Sequence, residues 1–115
     1  MTRITILKNR NGSIVEYEIK GHTRYGSFGK DILCASISIL SQTALISLNE
    51  VCGIEENNIY YLIDEKKGYL KVSLPSELSK SQRDKADIVL KTMEVGLKSL
   101  VDIYPDYITL KYREV

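Results

Sequence analysis

Apolar and polar positions alternate with a period that changes several times along the chain, and each change marks an element. Ile4 and Ile6 alternate with polar neighbours, which predicts a strand. Ile14, Tyr17 and Ile19 predict a second, after a turn through Asn9, Asn11 and Gly12 in which Asn-Gly is a hairpin signal. From Asp31 the spacing lengthens: Leu33, Ile37, Leu40, Ala44, Leu48 and Val51 recur at steps of three or four, one face of a long helix closed by Gly53. The run Ile59 to Ile63 is β-branched or aromatic for the most part. Tyr69, Leu70, Val72 and Leu74 follow it after the polar turn 64–68, so a second hairpin is expected. Pro75 and the polar run Ser76 to Ser81 end that hairpin. Helical spacing then resumes through Ala86, Val89, Leu90, Met93, Leu97, Leu100 and Val101, with Lys85, Asp87, Lys91, Glu94 and Lys98 as its solvated face. Pro105 stops the second helix, and Tyr107, Ile108, Leu110 and Tyr112 make a short closing strand.

The predicted order is ββαββαβ, an α+β class: a small, mostly antiparallel sheet with two long helices. Both helices have one apolar stripe to bury, and a sheet face is the simplest place to bury it. The 115 residues suit one domain, 1–115, large enough to form a core without disulfides or metal.

Composition narrows the partners. A formal net charge of +1 gives no general electrostatic reason to bind nucleic acid or an acidic membrane surface. The eight tyrosines are scattered mainly through strands and form no stacking array for single-stranded nucleic acid. No apolar run approaches the ~20 residues needed to cross a bilayer, and the opening MTRITILKNR lacks a signal-peptide profile, so the expected setting is cytoplasmic with no membrane partner. Cys34 and Cys52 are held many turns apart by the helix between them, which argues against a disulfide. With one histidine and no CxxC pair, no metal and no cofactor is expected.

The chemistry gathers in the segment from Gly21 to Ser38. Asp31 is a plausible N-cap, which puts Cys34 in the first helical turn, where the positive end of the helix dipole favours a thiolate. His22, the only histidine, can take a thiol proton and return it to a leaving amine. Gly21, Gly26 and Gly29 punctuate the approach and let the segment carrying His22 bend toward the thiol. His22 and Cys34 are thus a candidate catalytic dyad. Each residue has a blander role as well. Cys34 could pack as a small hydrophobe, Asp31 could cap the helix or orient His22, and Ser38, one turn after Cys34, could hydrogen-bond in the site or simply permit close packing. Arg24 and Lys30 add local positive charge, and Tyr25 and Phe28 either cover the site or touch substrate. Cys52 sits at the negative end of the same helix, where a thiolate is disfavoured, and is assigned no chemistry.

The pairs Gly21-His22, Asp31-Ile32 and Cys34-Ala35, with Gly26 and Gly29 between them and Ser38 a turn later, resemble the bacterial ribosomal-processing cysteine proteases (Prp). That family shows a GH pair, a short glycine-bearing loop and a DI(V/L)CA helix start, at the His-to-Cys spacing found here. Length and element order are similar over most of the chain. The resemblance implies a cysteine endopeptidase that trims the N-terminal extension of a large-subunit ribosomal protein, L twenty-seven. It also implies that His22 and Cys34 form the dyad, that the enzyme is a homodimer, that a loop must move to admit substrate, and that the substrate tail is hydrophobic and aromatic. Two other classes stay open at this point: a non-catalytic peptide-binding module in ribosome assembly, with Cys34 only packing, and another thiol chemistry such as acyl transfer or redox sensing.

Overall fold

Strand β1 (Thr2–Lys8) turns Thr2, Ile4 and Ile6 inward and leaves Arg3 in solvent, the period-two pattern of a sheet with one covered face. The computed structural model that shows this describes residues 1–22 and 31–115. Asn9 makes the turn into β2 (Ile14–Lys20) by accepting from the backbone N–H groups of Asn11 and Ser13 at 3.0 Å each. The hairpin register sets Ile4 opposite Ile19 and Ile6 opposite Tyr17, so the apolar rows of both strands fall on the same face.

Helix α1 (Ile32–Glu50) leads to a 3₁₀ turn at Glu56–Asn58, which periodicity had not indicated, and then to β3 (Tyr60–Asp64) and β4 (Tyr69–Ser73). Helix α2 (Lys80–Ile103) opens with a capping box in which Ser79 and Gln82 satisfy each other's backbone N–H, and strand β5 (Ile108–Glu114) follows it. The element order ββαββαβ and the α+β class are those the sequence predicts. The sheet runs β3-β4-β2-β1-β5. All neighbours are antiparallel except β1 and β5, which pair in parallel from Thr2↔Ile108 to Lys8↔Glu114. Helix α1 therefore carries the chain from β2 past β4 to one edge, and α2 carries it from β4 back across the sheet to the other.

Both helices cover the same sheet face and pack on each other. Gly96 permits this approach: a Cβ there would stand 2.9 Å from Leu40 Cδ2. The core joins Ile4, Ile6, Tyr17, Ile19, Leu70, Val72 and Ile108 of the sheet to Leu33, Ile37, Ala44 and Leu48 of α1 and Ala86, Leu90, Met93 and Leu97 of α2. Of the apolar positions expected to be covered on α1, Val51 is exposed, and Ser41 is buried instead. The fully buried Tyr17 ties the layers together, its hydroxyl donating to the Ser41 carbonyl at 2.8 Å.

Two features depart from simple patterning. Glu94, on the polar face predicted for α2, is buried. Its carboxylate accepts from the Tyr112 hydroxyl at 2.5 Å and pairs with Lys8 at 3.2 Å, which fastens α2 to β1 and β5. The second concerns α1. Its 19 residues, with a mean hydropathy of 1.6 over their most apolar stretch, are long and apolar enough to cross a membrane by length and composition, which corrects the expectation that no run approaches that length. Here it is a core helix, with Leu33, Ile37, Ser41, Ala44 and Leu48 against the sheet and the other helix. Its outer side carries Ile32, Ile39 and Ile46, each more than half exposed, and α1 has no charged residue before Glu50.

Candidate functional site

The N-terminus of α1 is built as the sequence suggests. Asp31 has an extended backbone and its Oδ1 accepts from the Cys34 N–H at 2.9 Å, while its carbonyl accepts from the Ala35 N–H at 3.1 Å. Asp31 is therefore a helix cap by geometry. Cys34 lies in the first turn with its side chain neither sealed in the core nor fully exposed. That position puts its sulfur near the amide end of the helix, since helical side chains lean toward the N-terminus. One consequence is chemical. The first-turn amides of Cys34 and Ala35 already donate to Asp31, so the amides of Ile32 and Leu33 are the ones left without an intrahelical acceptor.

His22 follows the end of β2, where Gly21 closes the strand. The Gly21 N–H donates to the Gly68 carbonyl at 2.9 Å, and the Thr2 hydroxyl donates to the Gly21 carbonyl at 3.3 Å. The imidazole Nε2 then meets the carbonyl oxygen of Lys66, in the β3–β4 turn, at 3.2 Å. Gly21 itself must be a glycine: its φ is +90°, and a Cβ would fall 2.7 Å from the Met1 carbonyl oxygen.

A cleft of about 610 Å³ opens between the start of α1 and the ends of β2 and the β3–β4 hairpin. His22, Asp31, Cys34 and Ser38 all line it, so the structure brings together the four side chains singled out in the sequence. Ser38 lies one turn along α1 from Cys34, and Ser41 and Gln42 continue that stripe a further turn. Gly21 also lines the cleft. Gly26 and Gly29 lie outside the described residues, as do Arg24, Tyr25, Phe28 and Lys30. Cys52 is buried at the far end of α1, and burial pushes its thiol up, with Lys85 and Arg83 opposing weakly. Among the described residues no group of three or more His, Cys, Asp or Glu could hold a metal ion.

Periodicity gave no warning of the second wall. Ile63, Glu65, Gly68, Tyr69 and Leu70 border the cleft from the β3–β4 hairpin, more than 40 positions from His22 in the chain. The available signal was compositional: Glu65-Lys66-Lys67-Gly68 is a tight polar turn. β3 is also one of the two edge strands of the sheet among the described residues, and Tyr60, Tyr61, Leu62 and Ile63 are all exposed on it. A thiol at a helix start and an imidazole facing one cleft beside an open strand edge suit nucleophilic attack on an extended chain.

A family model described as cysteine protease Prp matches residues 1–109. The chain is 27% identical over 108 residues to the ribosomal processing cysteine protease Prp of Bacillus subtilis, covering 92% of each protein. It is 26% identical over 113 residues to that of Staphylococcus aureus, covering 98% of this chain and 100% of the other. Among solved structures, a Streptococcus mutans protein superposes with a TM-score of 0.83 at 25% identity, over 100% of this chain and 96% of that one. The S. aureus ribosomal processing protease Prp, in complex with a covalently linked product peptide, superposes with a TM-score of 0.82 at 24% identity, over 98% of this chain and 100% of that one, a likeness of fold.

Proposed function

Since this chain belongs to the cysteine protease Prp family, we propose that Cys34 is its nucleophile and His22 its general base, and that it cleaves the N-terminal extension from large-subunit ribosomal protein L twenty-seven. The observation that carries this reading is the shared cleft: the one imidazole of the chain and a first-turn thiol line the same opening.

The chemistry follows from those two groups. His22 takes the Cys34 proton, and the thiolate attacks the scissile carbonyl carbon to form a carbon–sulfur bond and a tetrahedral oxyanion. Collapse breaks the carbon–nitrogen bond as the imidazolium gives its proton to the departing amine. Water, deprotonated by the same imidazole, then releases the acyl group from sulfur and restores the thiol. Because the Cys34 amide is held by Asp31, the amides of Ile32 and Leu33 are the helix-end donors nearest to hand for the oxyanion.

Substrate binding is proposed along β3. The free edge and its exposed Tyr60, Tyr61, Leu62 and Ile63 suit a hydrophobic, extended tail pairing main chain to main chain, and Ile63 joins that edge to the cleft. A ribosomal substrate goes with a cytoplasmic setting and a role in ribosome biogenesis. The homodimer is proposed as well. The uncharged outer side of α1, with Ile32, Ile39 and Ile46 seven positions apart, supports it as a self-complementary helix stripe.

The test is cleavage of a peptide spanning the extension junction, followed by mass spectrometry. Wild type should cut it at one site, and Cys34→Ala and His22→Ala should not. Binding by the wild type with no product would overturn the protease reading in favour of a peptide-binding module.

A further inference from the structure

A histidine that serves as a base needs one ring nitrogen fixed so that the other faces the proton it must take. In many cysteine and serine proteases a third side chain does this, an Asn or Asp. Asp31 lines the cleft with His22, but its Oδ1 accepts from the Cys34 amide. His22 Nε2 instead meets the Lys66 carbonyl oxygen, 44 positions along the chain.

The turn that carries this carbonyl is built to stay in place. Asp64 Oδ1 accepts from the Lys67 N–H at 3.2 Å, and the Gly68 N–H returns to the Glu65 carbonyl at 3.2 Å. The turn is then docked onto the histidine's own segment by the Gly21 N–H to Gly68 carbonyl bond at 2.9 Å. Gly68 sits at φ +62°, and a Cβ on it would stand 2.7 Å from the Gly21 carbonyl oxygen and 3.0 Å from His22 Cε1. Both obstacles, a backbone oxygen and a ring carbon, cannot swing aside as the tip of a long side chain would. Only glycine allows the turn to close on the ring.

We infer that the 65–68 turn is the positioning element of the proposed dyad, with the main-chain carbonyl of Lys66 as the third member and Gly68 as the residue that lets it reach His22. A carbonyl oxygen only accepts, so Nε2 bears the hydrogen in this contact, and in the neutral ring the lone pair lies on Nδ1. Nδ1 is then the atom that takes the Cys34 proton. The Lys66 side chain has no part in this, so its identity is unconstrained. The inference rests on the dyad reading, and its test separates the two.

The chain has a single histidine, so ¹⁵N-labelled histidine gives one pair of ring signals that reports the tautomer without any substitution. At a pH where the ring is neutral, the wild type should show the Nε2–H form. The Nδ1–H form would overturn the inference. Gly68→Ala should lower kcat for the junction peptide about a hundredfold, the scale of a misplaced catalytic group. Its KM should stay within about threefold, and the Nε2–H preference should be lost. Lys66→Ala should match wild type in both rate and tautomer. If Gly68→Ala does not fold, as read by its melting curve, the wild-type tautomer and Lys66→Ala still decide. An inactive Lys66→Ala would overturn the main-chain assignment. If His22→Ala still cuts while the ring is Nε2–H, the dyad fails and the orientation stands. If His22→Ala is dead and the ring is Nδ1–H, the dyad stands and the orientation fails.

Discussion

Replacing Asp31 separates the two roles a carboxylate can have at the start of α1. Its side chain accepts one hydrogen bond from the Cys34 N–H at 2.9 Å, and its charge faces the positive end of a 19-residue helix. Losing an N-cap acceptor costs ~1 kcal/mol, within a range of about 0.5–2. Losing the charge–dipole attraction costs a further ~0.3–1 kcal/mol. Asp31→Ala loses both and should be less stable by about 1–2 kcal/mol, a fall in Tm of roughly 5–10 °C for a domain near this size. Asp31→Asn keeps an acceptor of the same shape and should lose only the charge part, roughly 2–5 °C. Urea unfolding followed by circular dichroism, with equal m-values, measures the difference directly. In the peptide assay Asp31→Asn should keep kcat within about threefold, because the proposed orienting contact to His22 comes from Lys66. If Asn is as destabilised as Ala, the cap hydrogen bond is not what stabilises this helix end. If Asn folds well but loses cleavage, Asp31 acts on the reaction and capping is not its main task.

Two further outcomes follow from features away from the cleft. Burial alone would raise the Glu94 carboxyl, but the hydrogen bonds from Tyr112 and Lys8 outweigh it and hold it below its ordinary 4.5. Its stabilising contribution is therefore complete above the unfolded value and is lost as pH falls through the lower, folded one, so the stability gap between wild type and Glu94→Gln should be widest near neutrality and close on acidification. A gap that stays constant or widens toward low pH, by denaturant titration at several pH values, would refute this. On α1, Ile39→Lys should convert a dimeric wild type to monomers in sedimentation velocity with little change in Tm; a wild type that is monomeric at tens of micromolar, or a variant that stays dimeric, refutes the α1 interface.

Much of the fold was legible because it is written in local periods. Both hairpins, both long helices and the Asp31 cap depend on residues within a few positions of each other, and α+β follows from their order. The parallel β1–β5 pair was not legible, since it joins the two ends of the chain through a register no local pattern specifies. Nor was the burial of Glu94, whose partners Lys8 and Tyr112 arrive from distant strands. At the site, His22 and Cys34 stood out because they are chemically rare and lie twelve positions apart in a motif. The other wall of the cleft escaped notice because its contribution is backbone: a carbonyl has no letter in the sequence, and Gly68 reads there as an ordinary turn residue.

The arrangement of β1 has a practical consequence for handling the protein. Its first residue, Thr2, borders the cleft, and the Met1 carbonyl lies against Gly21, whereas at its other end Lys8 accepts from the Val115 N–H. Anything fused ahead of Met1 would emerge at the mouth of the cleft proposed to take the peptide. Anything fused behind Val115 would leave from the opposite rim, a strand length or about 20 Å away. Affinity tags, fluorophores and surface tethers for an assay therefore belong at the carboxyl end.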